Sequence, residues 1–304
     1  MENKFLLTIA IPTYNRALFL DKSLDKICKQ IVGFEDCIEL LVSDNCSTDN
    51  TKEVVLKYIN KGFQIVYNKN HVNLGMDGNF IYCFENAKGE YVWLLGDDDF
   101  LDENTIPYLI SNLRNNVFGL IHLKTFNHKN ENKIFTDKTK FLNEVSYWMT
   151  FISANIVNRK YVSTVDFNKY KGSYFTLIPV YLNAVKSEKL NLFIYDRTMA
   201  EGADFENNGG YNVFQVFVTN YLSIIIEYIK DFGYRWYEIE KYRLLRYLIW
   251  PWMKKLLIEK NVNYRYSTES WFKILFKKYW YEFYFYPLLI VFVFNKMYYS
   301  KKIN

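Results

Sequence analysis

Over its first hundred residues the chain alternates short apolar runs with amphipathic segments. Residues 5–11 (FLLTIAI) are a continuous apolar run closed by Pro12, the pattern of a strand buried on both faces. Leu18, Leu20, Leu24, Ile27 and Ile31 recur at roughly helical spacing and predict a helix over 17–31. Residues 38–43 (IELLVS) read as a second buried strand. A helix over 51–58 follows, with Ser47, Thr48 and Asp49 as cap candidates. A third strand is predicted at 63–67, a helix at 79–87, and a fourth strand at 91–95 (YVWLL) that runs into Gly96-Asp97-Asp98-Asp99. This alternation predicts an α/β fold, a mainly parallel sheet with helices on both faces. Such sheets bind ligands beyond the carboxyl ends of their strands. Three polar clusters fall at those ends: Thr13–Arg16, Asp44–Asp49 and Asp97–Asp99.

Further strands are predicted at 118–124 and 151–158, with a polar loop or hairpin over 126–140 between them. A helix over 174–186 should be interrupted near Pro179. Residues 196–212 are polar and Gly-containing, the composition of a mobile loop. From Tyr211 onward the pattern is helical and aromatic, with a buried helix at 213–229 and a helix over 241–258 that Pro251 should kink. No internal repeat is present.

The 304 residues are 50% hydrophobic, enough for a large core, and the 23% charged fraction excludes a disordered chain. Net charge is +5, spread unevenly: residues 211–304 hold 15 Lys+Arg against 7 Asp+Glu, so the excess is in the tail. Within 271–302, Trp271, Phe272, Trp280, Phe283 and Phe285 mix with Lys273, Lys277, Lys278, Lys301 and Lys302. Aromatic and basic residues together suit the interface of an anionic bilayer; the same residues would also serve as a helical cap on the catalytic domain. The apolar run 283–294 is shorter than the ~20 residues a span requires, so peripheral attachment is expected. Cys28, Cys37, Cys46 and Cys83 form no CxxC pair, which predicts reduced thiols rather than a zinc site or disulfide framework. No signal peptide is recognised, and a cytoplasmic protein is expected.

Three consecutive carboxylates at the exit of an apolar strand repel one another and call for a cation. Their hard oxygens favour Mn²⁺ or Mg²⁺, ions that also bind diphosphates; the alternative is a solvated acidic turn capping the helix after Glu103. Asp44 could accept a hydrogen bond from a nucleobase edge, whereas Asn45, Ser47 and Asp49 fit an Asx-turn and cap. Tyr14 could stack on a base and Arg16 reach phosphate; otherwise the segment is an ordinary turn.

TIAIPTYNR, LLVSDNCSTDNT, NLG and GEYVWLLGDDDFLD, in this order and spacing, resemble the inverting family-2 glycosyltransferases of GT-A fold, a Rossmann-like mixed sheet flanked by helices. The LLGDDD variant is similar to the branch holding abequosyltransferase-like and glycan-branching enzymes. The resemblance is strong over 5–115 and weaker over 115–210. It implies a catalytic domain at 1–210, with a nucleotide-binding half at 1–115 and an acceptor half at 116–210. A helical, aromatic-rich, membrane-associating region would fill 211–304. Pro12, Tyr14, Arg16, Asp44, Asn73, Gly75 and Asp97 would bind the nucleotide, with Asn79 in support. Asp97 and Asp98 would hold the metal, and Asp99 would orient the site or the donor sugar. Gly96 stands where many relatives place the first acidic residue. Many relatives also carry a base Asp at the start of a helix; the matching Gly172–Thr176 has none. Asp166, Asp196, Glu201, Asp204 and Glu206 are nearby substitutes, and Glu201 or Asp204 is favoured because a Gly-flanked loop carries them.

The implied activity is metal-dependent transfer of a sugar from a UDP-sugar, with Mn²⁺ or Mg²⁺, to a hydroxyl of a lipid-linked bacterial oligosaccharide. It would act at the inner face of the cytoplasmic membrane without nucleic acid. A sugar nucleotidyltransferase would want a Gly-rich basic loop after the first strand, which PTYNR is not. A non-catalytic nucleotide- or membrane-binding scaffold is the remaining alternative.

Overall fold

Leu7–Thr13 forms strand β1 with every residue buried, as an apolar run without polar alternation requires. The computed structural model describes residues 5–124, 131–196, 199–201, 209–259 and 265–303. The chain divides into two compact units, residues 1–203 and 204–304.

In the first unit, α1 (Ala17–Ile31) leads to β2 (Ile38–Asp44), α2 (Thr51–Asn60), β3 (Ile65–Lys69), α3 (Gly75–Asn86) and β4 (Tyr91–Leu94). Next come β5 (Asp99–Leu101), α4 (Thr105–Asn115), β6 (Leu120–Leu123), β7 (Lys133–Phe135), α5 (Lys138–Val145), β8 (Asn155–Asn158), α6 (Ile178–Ser187), β9 (Asn191–Ile194) and β10 (Met199–Glu201). Eight strands form one sheet in the order β3-β2-β1-β4-β8-β6-β9-β7. It is parallel except that β8 runs against β4 and β6, and β7 against β9. This is the mixed, mainly parallel α/β sheet that the pattern predicts. One face of α1 (Leu20, Leu24, Ile27, Ile31) joins Ile9, Ile11, Trp93 and Leu109 in a single apolar core.

Several elements depart from the pattern. Pro179 lies at the start of α6 rather than interrupting a longer helix. Its missing N–H falls on a position with no intrahelical acceptor, so the first turn tolerates it. α3 begins at Gly75, earlier than the apolar spacing indicates, because Asp77 and Asn79 are polar yet buried. β5 and β9 carry too few residues to show a period.

At the sheet edge remote from the acidic cluster, Thr8 donates to Glu39 at 2.7 Å, and Glu39 accepts from the Lys88 N–H at 2.7 Å. Gly89 donates its N–H to the Thr8 hydroxyl at 2.8 Å. The chain passes so close here that a Cβ on Gly89 would lie 2.4 Å from the Thr8 nitrogen.

The second unit is helical, with two short paired strands, Gly209–Asn212 and Arg265–Ser267. The stretch 213–229 is helical but irregular, containing a π-helical turn at Gln215–Tyr221 and a 3₁₀ turn at Ile226–Tyr228. Around Pro251 the helix does not break: π-helical turns at Leu244–Ile249 and Lys254–Glu259 flank Trp250–Met253. The wider turns relieve the clash that a proline ring makes with the preceding turn. Lys241 is fully buried beside Glu282, with the Tyr281 hydroxyl 2.7 Å from its Nζ, so its charge is paired. Among the described residues no helix is long and apolar enough to cross a membrane.

Gly89→Ala must push backbone apart and is expected to destabilise the protein by about 1–3 kcal/mol, read as a lower urea midpoint at unchanged slope.

Candidate active site

β1 ends at Thr13 and β2 at Asp44, and their parallel pairing places these residues side by side. β4 pairs with the other flank of β1, so the chain beyond Leu94 emerges at the same edge. There it turns through Gly96, whose carbonyl accepts from the Asp99 N–H at 3.2 Å. A Cβ on Gly96 would lie 2.6 Å from Asp99 Oδ2 and 3.3 Å from Asp98 Oδ1. A side chain at this position would have to displace the Asp99 carboxylate from its present place.

Asp97 is 3% exposed. Its Oδ2 accepts from the Thr13 hydroxyl at 2.7 Å and its Oδ1 from Arg16 Nη1 at 2.9 Å. The same Nη1 lies 3.0 Å from Asp98 Oδ2. Burial pushes the Asp97 carboxyl up to about 6; Arg16 and Thr13 oppose the rise and Asp98 adds to it. Asp99 is buried as well, and its Oδ2 accepts from Ser153 Oγ, which in turn accepts from the Gly96 N–H at 2.8 Å. The acidic run is therefore not a solvated cap. Helix α4 is entered instead through Asn104, in left-handed backbone at φ 62° and without a side-chain cap.

The acidic corner fits a divalent cation. Asp97 and Asp98 converge on one cationic nitrogen at 2.9 and 3.0 Å, so a single position is in reach of both carboxylates. Among the described residues no group of three or more His, Cys, Asp or Glu converges to hold an ion. The protein would thus supply two hard oxygens and leave the remaining positions to water and diphosphate, as Mg²⁺ sites commonly do.

Beside this corner lies the end of β2. Asp44 is fully buried; Oδ1 accepts from the Ser47 N–H and Oδ2 from the Tyr67 hydroxyl, each at 2.7 Å. Asp49 caps two helices at once, Oδ2 accepting from Ala17 N–H of α1 and Oδ1 from Thr51 N–H of α2. Asn15 and Ser47 lock the first two loops together: Asn15 N–H donates to Ser47 Oγ and Asn15 Oδ1 accepts from Thr48 N–H. Asn45 holds the third loop, donating to Asn73 Oδ1 and the Gly75 carbonyl and accepting from Leu74 N–H. Asn79 joins β2 and β3, accepting from Ser43 and Asn70. Pro12 is buried within β1, whereas Tyr14 presents a ring that is 44% exposed.

Of the candidate bases, Glu201 lies on β10, which pairs antiparallel with β5 and sets Glu201 in register with Asp99. Its side chain, with Asp204 and Glu206, lies outside the described residues. Asp166 accepts from the Asn168 N–H two residues on, and Asp196 accepts from the side-chain amide of Asn132, 64 residues earlier.

Asp77 is a buried carboxylate that sequence reasoning did not single out. Its Oδ2 accepts from the N–H groups of Gly172 and Tyr174 at 2.8 and 3.3 Å, and Thr176 donates to Oδ1 at 3.4 Å. Segment 172–176 contains no carboxylate of its own, and α3 brings one to it. Burial raises the Asp77 carboxyl above its ordinary value against those bonds. The available signal was spacing: Asp77 shares a helix face with Phe80 and Phe84, both buried.

Comparison with known proteins agrees with this geometry. The family model for glycosyl transferase family 2 matches residues 8–177. The chain is 41% identical over 105 residues to abequosyltransferase RfbV of Salmonella typhimurium, covering 34% of this chain and 31% of that protein. It is 36% identical over 106 residues to the GalNAc(5)-diNAcBac-PP-undecaprenol beta-1,3-glucosyltransferase of Campylobacter jejuni, covering 34% and 33%. The matches thus span about a third of these relatives' length. Among solved structures, S. aureus TarS 1-349 in complex with UDP-GlcNAc superposes with a TM-score of 0.58 at 17% identity, covering 78% of this chain and 70% of that one. The mannosyltransferase PcManGT of Pyrobaculum calidifontis, in complex with GDP-Man and Mn²⁺, gives 0.58 at 15% identity, covering 79% and 70%. These two likenesses establish the GT-A fold. Family match and fold agree: this chain belongs to glycosyl transferase family 2.

Proposed function

We propose that the chain transfers a sugar, with inversion, from a UDP-sugar to a hydroxyl of a lipid-linked oligosaccharide, using Mn²⁺ or Mg²⁺. The observation that carries this reading is the convergence of Asp97 and Asp98 on one cationic position at the strand edge. Support for the donor comes from the TarS complex with UDP-GlcNAc, and for the ion from the PcManGT complex with Mn²⁺. The acceptor class is supported by the undecaprenol-linked substrate in the Campylobacter relative's name.

In this reading Tyr14 stacks on the base, Pro12 lines its pocket and buried Asp44 anchors the pocket floor at the base edge. Asn73 and Gly75 shape the neighbouring loop, and Arg16 is within reach of the phosphates. The acceptor oxygen attacks the anomeric carbon opposite the leaving group. The bond from that carbon to the phosphate oxygen breaks and its electron pair stays with UDP. A bound divalent ion would stabilise the charge gained by the diphosphate. Asp99, fixed by Ser153, orients the donor sugar. Glu201, in register with Asp99, takes the acceptor proton, and Asp204 is the second candidate.

The second unit supports attachment to an anionic bilayer at the inner membrane face. Phe283 and Phe294 are 84% and 67% exposed, and Tyr286, Ile290, Val291, Val293 and Met297 are exposed beside them. Residues 283–303 contain no acidic side chain and include Lys296, Lys301 and Lys302. Apolar bodies with cationic neighbours fit a negatively charged interface.

Incubation with a panel of UDP-sugars and Mn²⁺ should release free UDP, and chelation should stop it. Release of pyrophosphate would favour a nucleotidyltransferase, and release of neither a scaffold. Asp98→Asn should lower kcat by about 10²–10³-fold in a folded protein; a near-normal kcat refutes its role. Glu201→Gln should lower kcat by about 10²–10⁴-fold while UDP affinity stays unchanged by calorimetry. Ile290→Glu combined with Phe294→Glu should abolish co-sedimentation with phosphatidylglycerol vesicles; undiminished pelleting removes the attachment.

A further inference from the structure

Arg16 stands at the N-cap of α1 in non-helical backbone, at φ −135° and ψ 39°. Its guanidinium carbon lies 5.6 Å from the Phe19 ring centre, and its side chain is 21% exposed. Nη1 touches the nearly buried Asp97 and the partly buried Asp98 together, at 2.9 and 3.0 Å. Two carboxylates leaving water at one point need a positive charge nearby, and the guanidinium supplies it. A divalent ion bound on the Nη1 side of these two oxygens would take the space that Nη1 holds. At that position the two cations exclude each other, since they would share one space and their charges repel. The exposed part of the Arg16 side chain gives it a way out. A diphosphate arriving with the ion offers the displaced guanidinium a new anionic partner, with the planar donor pattern that phosphates accept.

We propose that Arg16 is a built-in counter-cation of the acidic corner, exchanged for the divalent ion when the nucleotide diphosphate binds. Metal and nucleotide binding are then mutually dependent: each tightens the other by the same factor. This deepens the reading of Asp97 and Asp98 as a metal site and rests on it.

The test measures Mn²⁺ binding by electron paramagnetic resonance, on the full chain, with and without UDP. The wild type should bind Mn²⁺ weakly alone and about tenfold or more tightly with saturating UDP. Arg16→Gln should bind Mn²⁺ alone about tenfold more tightly than wild type, and UDP should tighten it by a smaller factor than in wild type. Arg16→Lys, which keeps a charge, should return Mn²⁺ affinity toward the wild-type value. Thermal melting gives a second readout: Mn²⁺ alone should raise the Tm of Arg16→Gln more than that of wild type. Unchanged Mn²⁺ affinity in Arg16→Gln, with UDP-dependent binding intact in both proteins, overturns the exchange and leaves the metal site standing. Failure of Mn²⁺ to bind either protein, with or without UDP, removes the metal site and the exchange together.

Discussion

The central constraint on the first unit is the burial of negative charge at the end of an apolar strand. Asp97 is almost wholly removed from water, and burial alone drives its carboxyl toward the neutral form. Thr13 at the end of β1 and Arg16 from the loop after it oppose that drive with a hydroxyl donor and a guanidinium. The loop after β1 and the turn after β4 are therefore parts of one electrostatic unit. Ser153, from the approach to β8, fixes the third carboxylate and accepts from the Gly96 N–H.

Around this corner the loops at the strand ends are held mainly by short polar side chains reaching backbone groups. Asp49 supplies acceptors to the first turns of both α1 and α2, and Asn45 threads the third loop through three bonds. Buried amides satisfied on several atoms hold a loop in a single conformation more firmly than apolar contact does. Rigid loops of this kind suit a site that must present donors and acceptors to a nucleotide without rearranging. Asp77 extends the principle to a distant segment, where one carboxylate gathers two N–H groups and a hydroxyl. Tyr174, one of those partners, sits at φ 69°, backbone that a bulky residue adopts only under external restraint.

The second unit follows different physics. Its buried lysine is paired with Glu282 and packed against the Tyr281 ring at 4.1 Å, so charge is taken inside with its compensation. Its last helix, Phe285–Ile303, keeps large apolar side chains in solvent, beyond the scatter expected of an ordinary surface. Family membership speaks for residues 8–177 and leaves this unit to be understood from its own surface.

How much of this was legible beforehand follows from the range of each force. Apolar runs such as LTIAIPT and YVWLLG, and the α1 spacing, fix strands and helices locally, because burial acts on each side chain where it stands. The carboxyl-end location of Asp44 and Asp97–Asp99 followed from strand direction, and the motifs read in order identified the family. Tertiary structure alone decided which carboxylates met Arg16 and that Asp77 supports segment 172–176. It also set Glu201 beside Asp99, through a three-residue strand too short to carry a period of its own. Those facts depend on contacts between residues some 80 to 100 positions apart, such as the 81 separating Arg16 from Asp97 and the 95 separating Asp77 from Gly172. A hydrophobic period is written along the chain; a hydrogen bond across the sheet edge exists only once the strands have brought its two ends together.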